Sequence, residues 1–365
     1  MSRLRLAVIF GGRSSEHEVS LNSAASVLAA LNGKKYHLIP VGIAKDGRWF
    51  VGPGTREKLA KGKMPAKADE RVFFGRPPGR LFTVSGKPAE KLDVVLPLVH
   101  GTTGEDGALQ GLFELAGIPY VGSGILGSAL GLDKVAQKCV LSRAGLPVAR
   151  YASFRASDWQ RRKSGLINEI EARLGYPCFV KPANLGSSVG ISKAHHRNEL
   201  VAGVRSALDH DEKVLVERAV PSAREIECGV IGNDEPQASV PGEVVPGNEF
   251  YDYEAKYVEG KSRVIVPAEV PASLAETLRQ YARRAFLALD IKGLARVDFL
   301  VNAETNDVIL NEVNTIPGFT KTSMFPRLWA ASGLPMTKLL DELVDLAMER
   351  RMALNDRAKK GGKRR

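Results

Sequence analysis

The sequence predicts a mixed α/β and α+β protein assembled from three packed units. Three observations predict it. Strand and helix patterns alternate over residues 4–124, the chain turns strand-rich from "REIECGVIGN" onward, and a long hairpin spans 294–314 ahead of the last helices. Alternation of the first kind argues for a parallel sheet covered by helices on both faces. With 365 residues, the chain is also too long for one core.

Taken in order, "LRLAVIFGG" reads as a buried strand, "SLNSAASVLAALN" as an amphipathic helix ending at Gly33, and "YHLIPVGIA" as a strand. After a basic insertion, "LDVVLPLVHG" is an apolar strand and "GALQGLFELAG" a helix stopped by Gly117; "IPYVGSG" closes the unit. A single helix is expected through "SALGLDKVAQKCVLSRAG", ended by the Gly145–Pro147 stop signal. "YPCFVKPANLGSSVGISKA" reads strand, glycine loop, strand; a helix near 198–208 and the strand "KVLVERAV" follow. A helix over 272–289, the hairpin and helices after about residue 335 finish the fold, without internal repeats. The boundaries expected are 1–124, 125–215, 216–348 and a basic, disordered tail at 349–365.

Composition excludes several classes. No apolar run approaches a membrane span. The arginines before "LAVIFGG" imitate a signal peptide, but the apolar stretch is short and no small-residue cleavage site follows, so a cytoplasmic protein is expected. Three cysteines (Cys139, Cys178, Cys228), odd in number and widely spaced, fit idle thiols in a reducing compartment. The formal charge of +11 is local rather than general. Residues 350–365 carry eight Lys/Arg against one Asp, residues 53–89 nine against three acids, and the rest is slightly acidic. Both basic segments lack clear periodicity and read as solvated and mobile. Nothing in the core suggests nucleic-acid recognition, so no nucleic-acid partner is expected.

The chemistry concentrates first in the hairpin "GLARVDFLVNAETNDVILNEVN". With the turn centred near Thr305, Asp298 faces Glu312 and Arg296 faces Asn314. Strand alternation then puts all four on one side. Val297, Phe299, Val301, Ile309 and Val313 fall on the opposite, core face, and Leu300, Val308 and Leu310 on the polar one. Opposed carboxylates repel unless a cation lies between them, and an amide oxygen adds a third hard ligand suited to Mg²⁺ or Mn²⁺. An adjacent guanidinium neutralises a carboxylate or phosphate. The competing reading is an ordinary solvated hairpin face. Against it stands the clustering of all four polar groups at the end away from the turn.

The second concentration is "FVKPANLGSSVGISK". Lys181 ends a strand, and Gly186, Ser187, Ser188 and Gly190 form a loop whose backbone N–H groups and hydroxyls suit phosphate. No G-K-[ST] is present and a strand follows, which excludes a P-loop. Lys134 upstream and Glu217 at the end of "KVLVE" support a nucleotide over a plain glycine-serine turn. The first turn, "GGRSSEHEVS", is not a nicotinamide fingerprint. Its Glu16 reads equally as an acid stabilised at a helix N-terminus.

Together these segments resemble the D-alanine–D-alanine ligases of the ATP-grasp superfamily, from Leu6 to about residue 345. The motifs, in order, are "GGRSSEHEVSLNSA", "HGTTGEDGALQG", "VKPANLGSSVGISK", "VERAV…REIE", "FYDYEAKY", "RVDF" and "NEVNTIPGFT". The resemblance implies an ATP-grasp fold preceded by a Rossmann-like parallel-sheet domain, with ATP and two Mg²⁺ (or Mn²⁺) as cofactors. It also implies a cytoplasmic homodimer that makes a peptidoglycan precursor. ATP would phosphorylate one D-alanine carboxylate, and the amine of a second D-alanine would attack the acyl phosphate.

Residue roles follow from the same likeness. Lys134, Lys181, Gly186, Ser188, Glu217, Val220, Glu225 and Lys256 match nucleotide-binding positions, with one extra residue between Glu217 and Glu225. Asp298, Glu312 and Asn314 match the metal ligands, Glu312 bridging two ions. Arg296 and the Gly318 backbone would steady the oxyanion. Glu16 and His100 would hold the first D-alanine, and Ser323, Lys256 and Tyr257 the second. Glu16, Ser187 and Tyr257 would be linked by hydrogen bonds near the attacking amine. "FYDYEAKY" is expected to be a mobile lid that excludes water. Alternatives are a D-alanine–D-lactate ligase, disfavoured by the Lys256–Tyr257 pair, and another ATP-grasp carboxylate–amine ligase.

Overall fold

The structure, a computed structural model, describes residues 3–52, 54–61, 70–75, 79–83, 88–186, 189–246 and 262–362. The first strand, β1 (Leu4–Gly11), pairs in parallel with β2 (Tyr36–Ile43) on one side and β7 (Val94–Pro97) on the other. Its alternate side chains enter different cores. Leu6, Val8 and Phe10 pack with helix α1 (His17–Ala30), while Ala7 and Ile9 pack with helix α3 (Ala108–Ala116). A strand buried on both faces is what its unbroken apolar run requires. Gly117 ends α3 in the left-handed region at φ 64°, where glycine has no Cβ penalty.

The sheet is less parallel than expected. Beyond β2 it continues antiparallel through β3 (Trp49–Val51), β4 (Glu70–Gly75), β5 (Arg80–Thr83) and β6 (Pro88–Lys91), after the short helix α2 (Thr55–Ala60). The basic insertion, read as solvated and mobile, therefore supplies edge strands. Its charges obscured apolar positions such as Val72 and Leu81, which are buried against Ile39 and Val41.

A second correction concerns the helix expected through residues 128–145. It is broken into α4 (Ile125–Leu132) and α5 (Lys134–Arg143). Asp133 sits between them in an extended conformation and accepts the backbone N–H groups of Val135 and Ala136, each at 3.0 Å. Aspartate competes well for such a cap, and here it wins over helix continuity.

Strand β8 (Tyr151–Arg155) pairs with β11 (Lys213–Arg218), which pairs with β9 (Cys178–Pro182), flanked by β10 (Ser192–Ala194). Helices α6 (Ala156–Arg173) and α7 (Arg197–Leu208) cover this sheet. A third sheet orders β15 (Ser262–Ile265), β14 (Gly242–Pro246), β12 (Ala223–Gly232), β16 (Gly293–Asn302) and β17 (Val308–Asn314), with β13 (Gln237–Ala238) beside β12. Helix α8 (Ala272–Ala288) buries Leu274, Leu278, Ala282 and Ala285 at helical spacing against it.

The β16–β17 hairpin has the expected register at its far end, with Arg296 opposite Asn314 and Asp298 opposite Glu312. The register then shifts. Phe299 pairs with Leu310, so Asn311 is an extra residue on β17. This bulge reverses the alternation toward the turn. Leu310 is fully buried and Val308 packs on the same core, whereas Ile309 stands opposite Leu300. The expected faces of Val308, Ile309 and Leu310 are thus exchanged.

After α9 (Met324–Ala331), the last helix α10 runs from Met336 to Gly362. Most of the segment expected as a disordered tail is therefore helical. Leu339, Leu340, Leu343 and Val344 lie in the core of the first sheet, and Arg350 donates to the carbonyls of Gly122 (2.6 Å) and Tyr120 (3.2 Å). Among the described residues no helix is long and apolar enough to cross a membrane.

Replacing Asp133 by Ala should lower stability by about 1–2 kcal/mol through loss of the cap. The check is the midpoint of urea unfolding; it should fall without a change in slope. An unmoved midpoint would show that the cap contributes nothing.

Candidate active site

The far end of the hairpin gathers like charges that the fold must balance. Asp298, 9% exposed, receives both Nε and Nη2 of Arg296 at 2.7 Å and the Nδ2 of Asn314 at 2.9 Å. Glu312 lies 3.3 Å from the Nζ of Lys134, which also donates to the Leu185 carbonyl at 2.8 Å. Lys134 thereby ties the glycine loop to β17. Its position at the first turn of α5 follows from the Asp133 cap.

Above the hairpin lies a pocket walled by β9, β11, β12 and β16, lined in part by Lys181, Glu217, Val220 and Glu225. Glu217 is 3% exposed and held between two lysines: Lys181 at 2.6 Å and Lys138, which is itself buried. Burial pushes the Glu217 carboxyl up, but the two ammonium groups outweigh it and hold it well below the usual range. Lys138 also donates to the Asn311 carbonyl at 3.2 Å, and Lys181 to the Asn311 side chain at 3.4 Å. The bulge is therefore fixed from the pocket side.

A second pocket opens between the first sheet and the hairpin. Its lining includes Glu16, His100, Glu105, Gly186, Gly318 and Ser323. Glu16 is the N-cap residue of α1, where the helix dipole favours an acid, but its side chain makes no cap bond to the helix. Its Oε2 would lie 2.8 Å from a Cβ built on Gly101 and 2.9 Å from one on Gly186, so both glycines make room for the carboxylate. His100 is buried, with Nδ1 2.9 Å from the Ile316 carbonyl and Nε2 3.2 Å from Ser23 Oγ. Burial lowers its pKa despite the pull of Glu16, so the ring is neutral at pH 7. Nδ1 carries the proton toward Ile316 and Nε2 accepts from Ser23. Both nitrogens face protein partners, and the ring lines the pocket beside Glu16. The Ser323 hydroxyl lies 2.7 Å from that of Thr320, and a Cβ on Gly318 would meet Ser323 Oγ at 2.9 Å.

Two family models match, the D-ala D-ala ligase N-terminus over residues 5–123 and the C-terminus over 140–345. The chain belongs to the D-alanine–D-alanine ligase family. A D-alanine–D-alanine ligase of Natranaerobius thermophilus is 47% identical over 353 residues, covering 96% of each chain. One from Clostridium novyi is 49% identical over 346 residues, 95% of this chain and 98% of the other. Among solved structures, the Coxiella burnetii D-alanine–D-alanine ligase superposes with a TM-score of 0.84 at 34% identity, covering 99% of both chains. The VanG D-Ala:D-Ser ligase of Enterococcus faecalis gives 0.85 at 36% identity, covering 95% of this chain and 100% of that one. The fold is accordingly ATP-grasp, and the protein is a ligase that uses ATP.

The family's use of ATP makes a divalent cation relevant, and the hairpin residues fit one. Among the described residues no group of three or more His, Cys, Asp or Glu is arranged around a single point for a metal. The fit rests instead on two opposed carboxylates, Asp298 and Glu312, with the Asn314 amide on the same face. Mg²⁺ is commonly held by one or two carboxylates together with substrate phosphates. Ser187, Ser188, Lys256, Tyr257 and the expected lid "FYDYEAKY" lie outside the described residues. Sequence reasoning missed Lys138, Glu105, Glu227 and Asn311, all of which stand at or beside the pockets. "HGTTGEDG" and "REIECG" did contain the two acids, but only the fold turns them inward.

Glu105 accepts the N–H groups of Gly101 (2.7 Å) and Ile316 (2.9 Å). Burial and then the nearby Glu16 charge push its carboxyl up to about 8. A folded-state pKa above the ordinary 4.5 contributes stability that is present in full below that value and lost as pH rises through about 8. In substrate-free enzyme, Tm should therefore fall across this window, and Glu105→Gln should flatten the fall while lowering Tm overall for want of one acceptor. An unchanged slope in the variant would exclude Glu105 as its source.

Proposed function

We propose that the two pockets are an ATP site and a D-alanine site, and that the reaction joins two D-alanines where the pockets meet. The observation that carries this reading is that the Arg296 guanidinium lines both. A group at that junction can face the phosphoryl group from one side and the substrate carboxylate from the other.

In this reading Lys134 and Lys181 bind the nucleotide phosphates, with Gly186, Ser188 and Lys256 contributing from the loop and lid. Glu217 and the Val220 backbone meet the adenine, and Glu225 the ribose. Both lysines are engaged by carboxylates, Glu312 and Glu217, so phosphate oxygens would compete for partners already aimed at the pocket. Asp298, Glu312 and Asn314 would hold two Mg²⁺ or Mn²⁺, which would supply positive charge to offset that of the transferring phosphoryl group. Asn314 presents its amide oxygen in that role.

Glu16 and His100, which line the same pocket, hold the first D-alanine, Glu16 pairing with its ammonium. Arg296 and the Gly318 backbone donate to the oxyanion of the tetrahedral intermediate. Ser323, Lys256 and Tyr257 orient the second D-alanine, and Ser187 and Tyr257 link to Glu16 near its amine. The reading includes a cytoplasmic homodimer working in peptidoglycan precursor synthesis. Leu115, Ile125 and Leu126, apolar and exposed on α3 and α4, support a protein contact on that face.

The experiment is phosphate release with Mg-ATP and D-alanine, repeated with L-alanine and with D-lactate or D-serine as second substrate. Turnover should require D-alanine, with D-alanyl-D-alanine as the product. Turnover that ignores D-alanine would overturn the reading, and preference for D-lactate or D-serine would reassign the second pocket. In a separate measurement, Glu312→Gln should reduce kcat by at least about 100-fold with little change in D-alanine binding. Near-normal turnover would remove Glu312 from the metal set.

A further inference from the structure

Glu227 is a buried acid that the proposed mechanism leaves unused, and its surroundings are unusual. It stands on β12 directly opposite Asp298 on β16, which stands opposite Glu312 on β17. Three carboxylates thus form one row across three adjacent strands. Glu227 is only 5% exposed. Its Oε2 lies 2.9 Å from Arg296 Nε, and among the described residues these two alone line both pockets.

The same Nε donates to Asp298 Oδ1 at 2.7 Å, and Nη2 donates to Asp298 Oδ2 at 2.7 Å. Arg296 is therefore shared between an acid proposed to ligate a cation and an acid with no such task. A carboxylate oxygen that turns toward a divalent cation gives up much of its hold on a guanidinium, because the two positive groups repel each other. A guanidinium left with no anionic partner in a buried site is costly and would swing or compete for Asp298.

We propose that Glu227 is a positioning residue for Arg296: a second buried carboxylate that keeps the guanidinium at the junction of the pockets and lets Asp298 serve a cation. This rests on the reading of Arg296 and Asp298 given above. Glu227 touches Arg296 and not the reacting atoms. Its removal leaves Asp298 as the chief anion beside Arg296, so the guanidinium and the cation then compete for one carboxylate.

The test is Mn²⁺ binding to the full chain in the presence of ADP, followed by electron paramagnetic resonance, for wild type, Glu227→Met, Arg296→Met and the double variant. Glu227→Met should weaken Mn²⁺ binding about tenfold, the scale of losing a partner behind a metal ligand. In the Arg296→Met background the same change should cost less than about twofold, because the competitor is gone. Glu227→Gln, which keeps an oxygen for Arg296 without the charge, should fall between wild type and Glu227→Met and guards against a folding defect. Unaltered Mn²⁺ affinity in Glu227→Met overturns the proposal, even if Tm drops. A tenfold loss that persists without Arg296 also overturns it, by making Glu227 a ligand in its own right. No step of this measurement uses D-alanine turnover, so failure of the catalytic reading and failure of this one are separately visible.

Discussion

Asp298 and Glu312 face each other across a pair of adjacent strands, and neither can be there as an anion unless positive charge stands close by. In this fold Arg296 offsets the first and Lys134 the second. The arrangement requires that β16 and β17 pair in one register only. The extra residue at Asn311 permits it, letting the polar end of the hairpin face the pockets while Leu310, nearer the turn, still enters the core. Lys134 extends the constraint outward: its second bond, to the Leu185 carbonyl, fixes the glycine loop against the same strand.

The pocket proposed for the nucleotide repeats this logic at greater depth. Glu217 is buried with Lys138 and Lys181 around it, a set whose desolvation is offset by mutual attraction and by the bonds to Asn311. Removing one member of such a set strands the others, so its residues act as a unit. Because Lys138 and Lys181 both reach Asn311, the pocket and the carboxylate hairpin are coupled through a single bulge. In the proposed reading, with a base at one end and phosphates at the other, that rigidity would serve alignment of the reacting groups, which depends on both ends.

The chain superposes about equally well on a structure named a D-Ala:D-Ser ligase and on one named a D-alanine–D-alanine ligase. The fold is shared, and under the proposed reading the choice of second substrate belongs to the walls of the second pocket. Those walls come from distant parts of the chain: Glu16 after β1, Glu105 before α3, and Gly318 and Ser323 after β17. Helix α10 helps hold them together, packing into the first core and bonding through Arg350 to the strand-end carbonyls of Tyr120 and Gly122.

The sequence by itself determined the alternating first unit, the facing of Asp298 with Glu312, and the family, because strand periodicity and short ordered motifs are local properties. It also marked Glu16, Lys134, Lys181, Glu217 and Arg296, whose charge made them conspicuous. It misjudged the basic insertion and the C-terminal segment, where surface charge masks the few apolar residues that dock. It also misjudged the helix through Asp133 and the faces of Ile309 and Leu310, where one cap and one bulge override periodicity. Only the tertiary structure decided that His100 turns both ring nitrogens to protein and that Lys138 stands behind Glu217. The same holds for the row of three carboxylates formed by Glu227, Asp298 and Glu312. Each depends on which strands become neighbours, and that pairing brings together residues tens of positions apart, beyond the reach of local pattern.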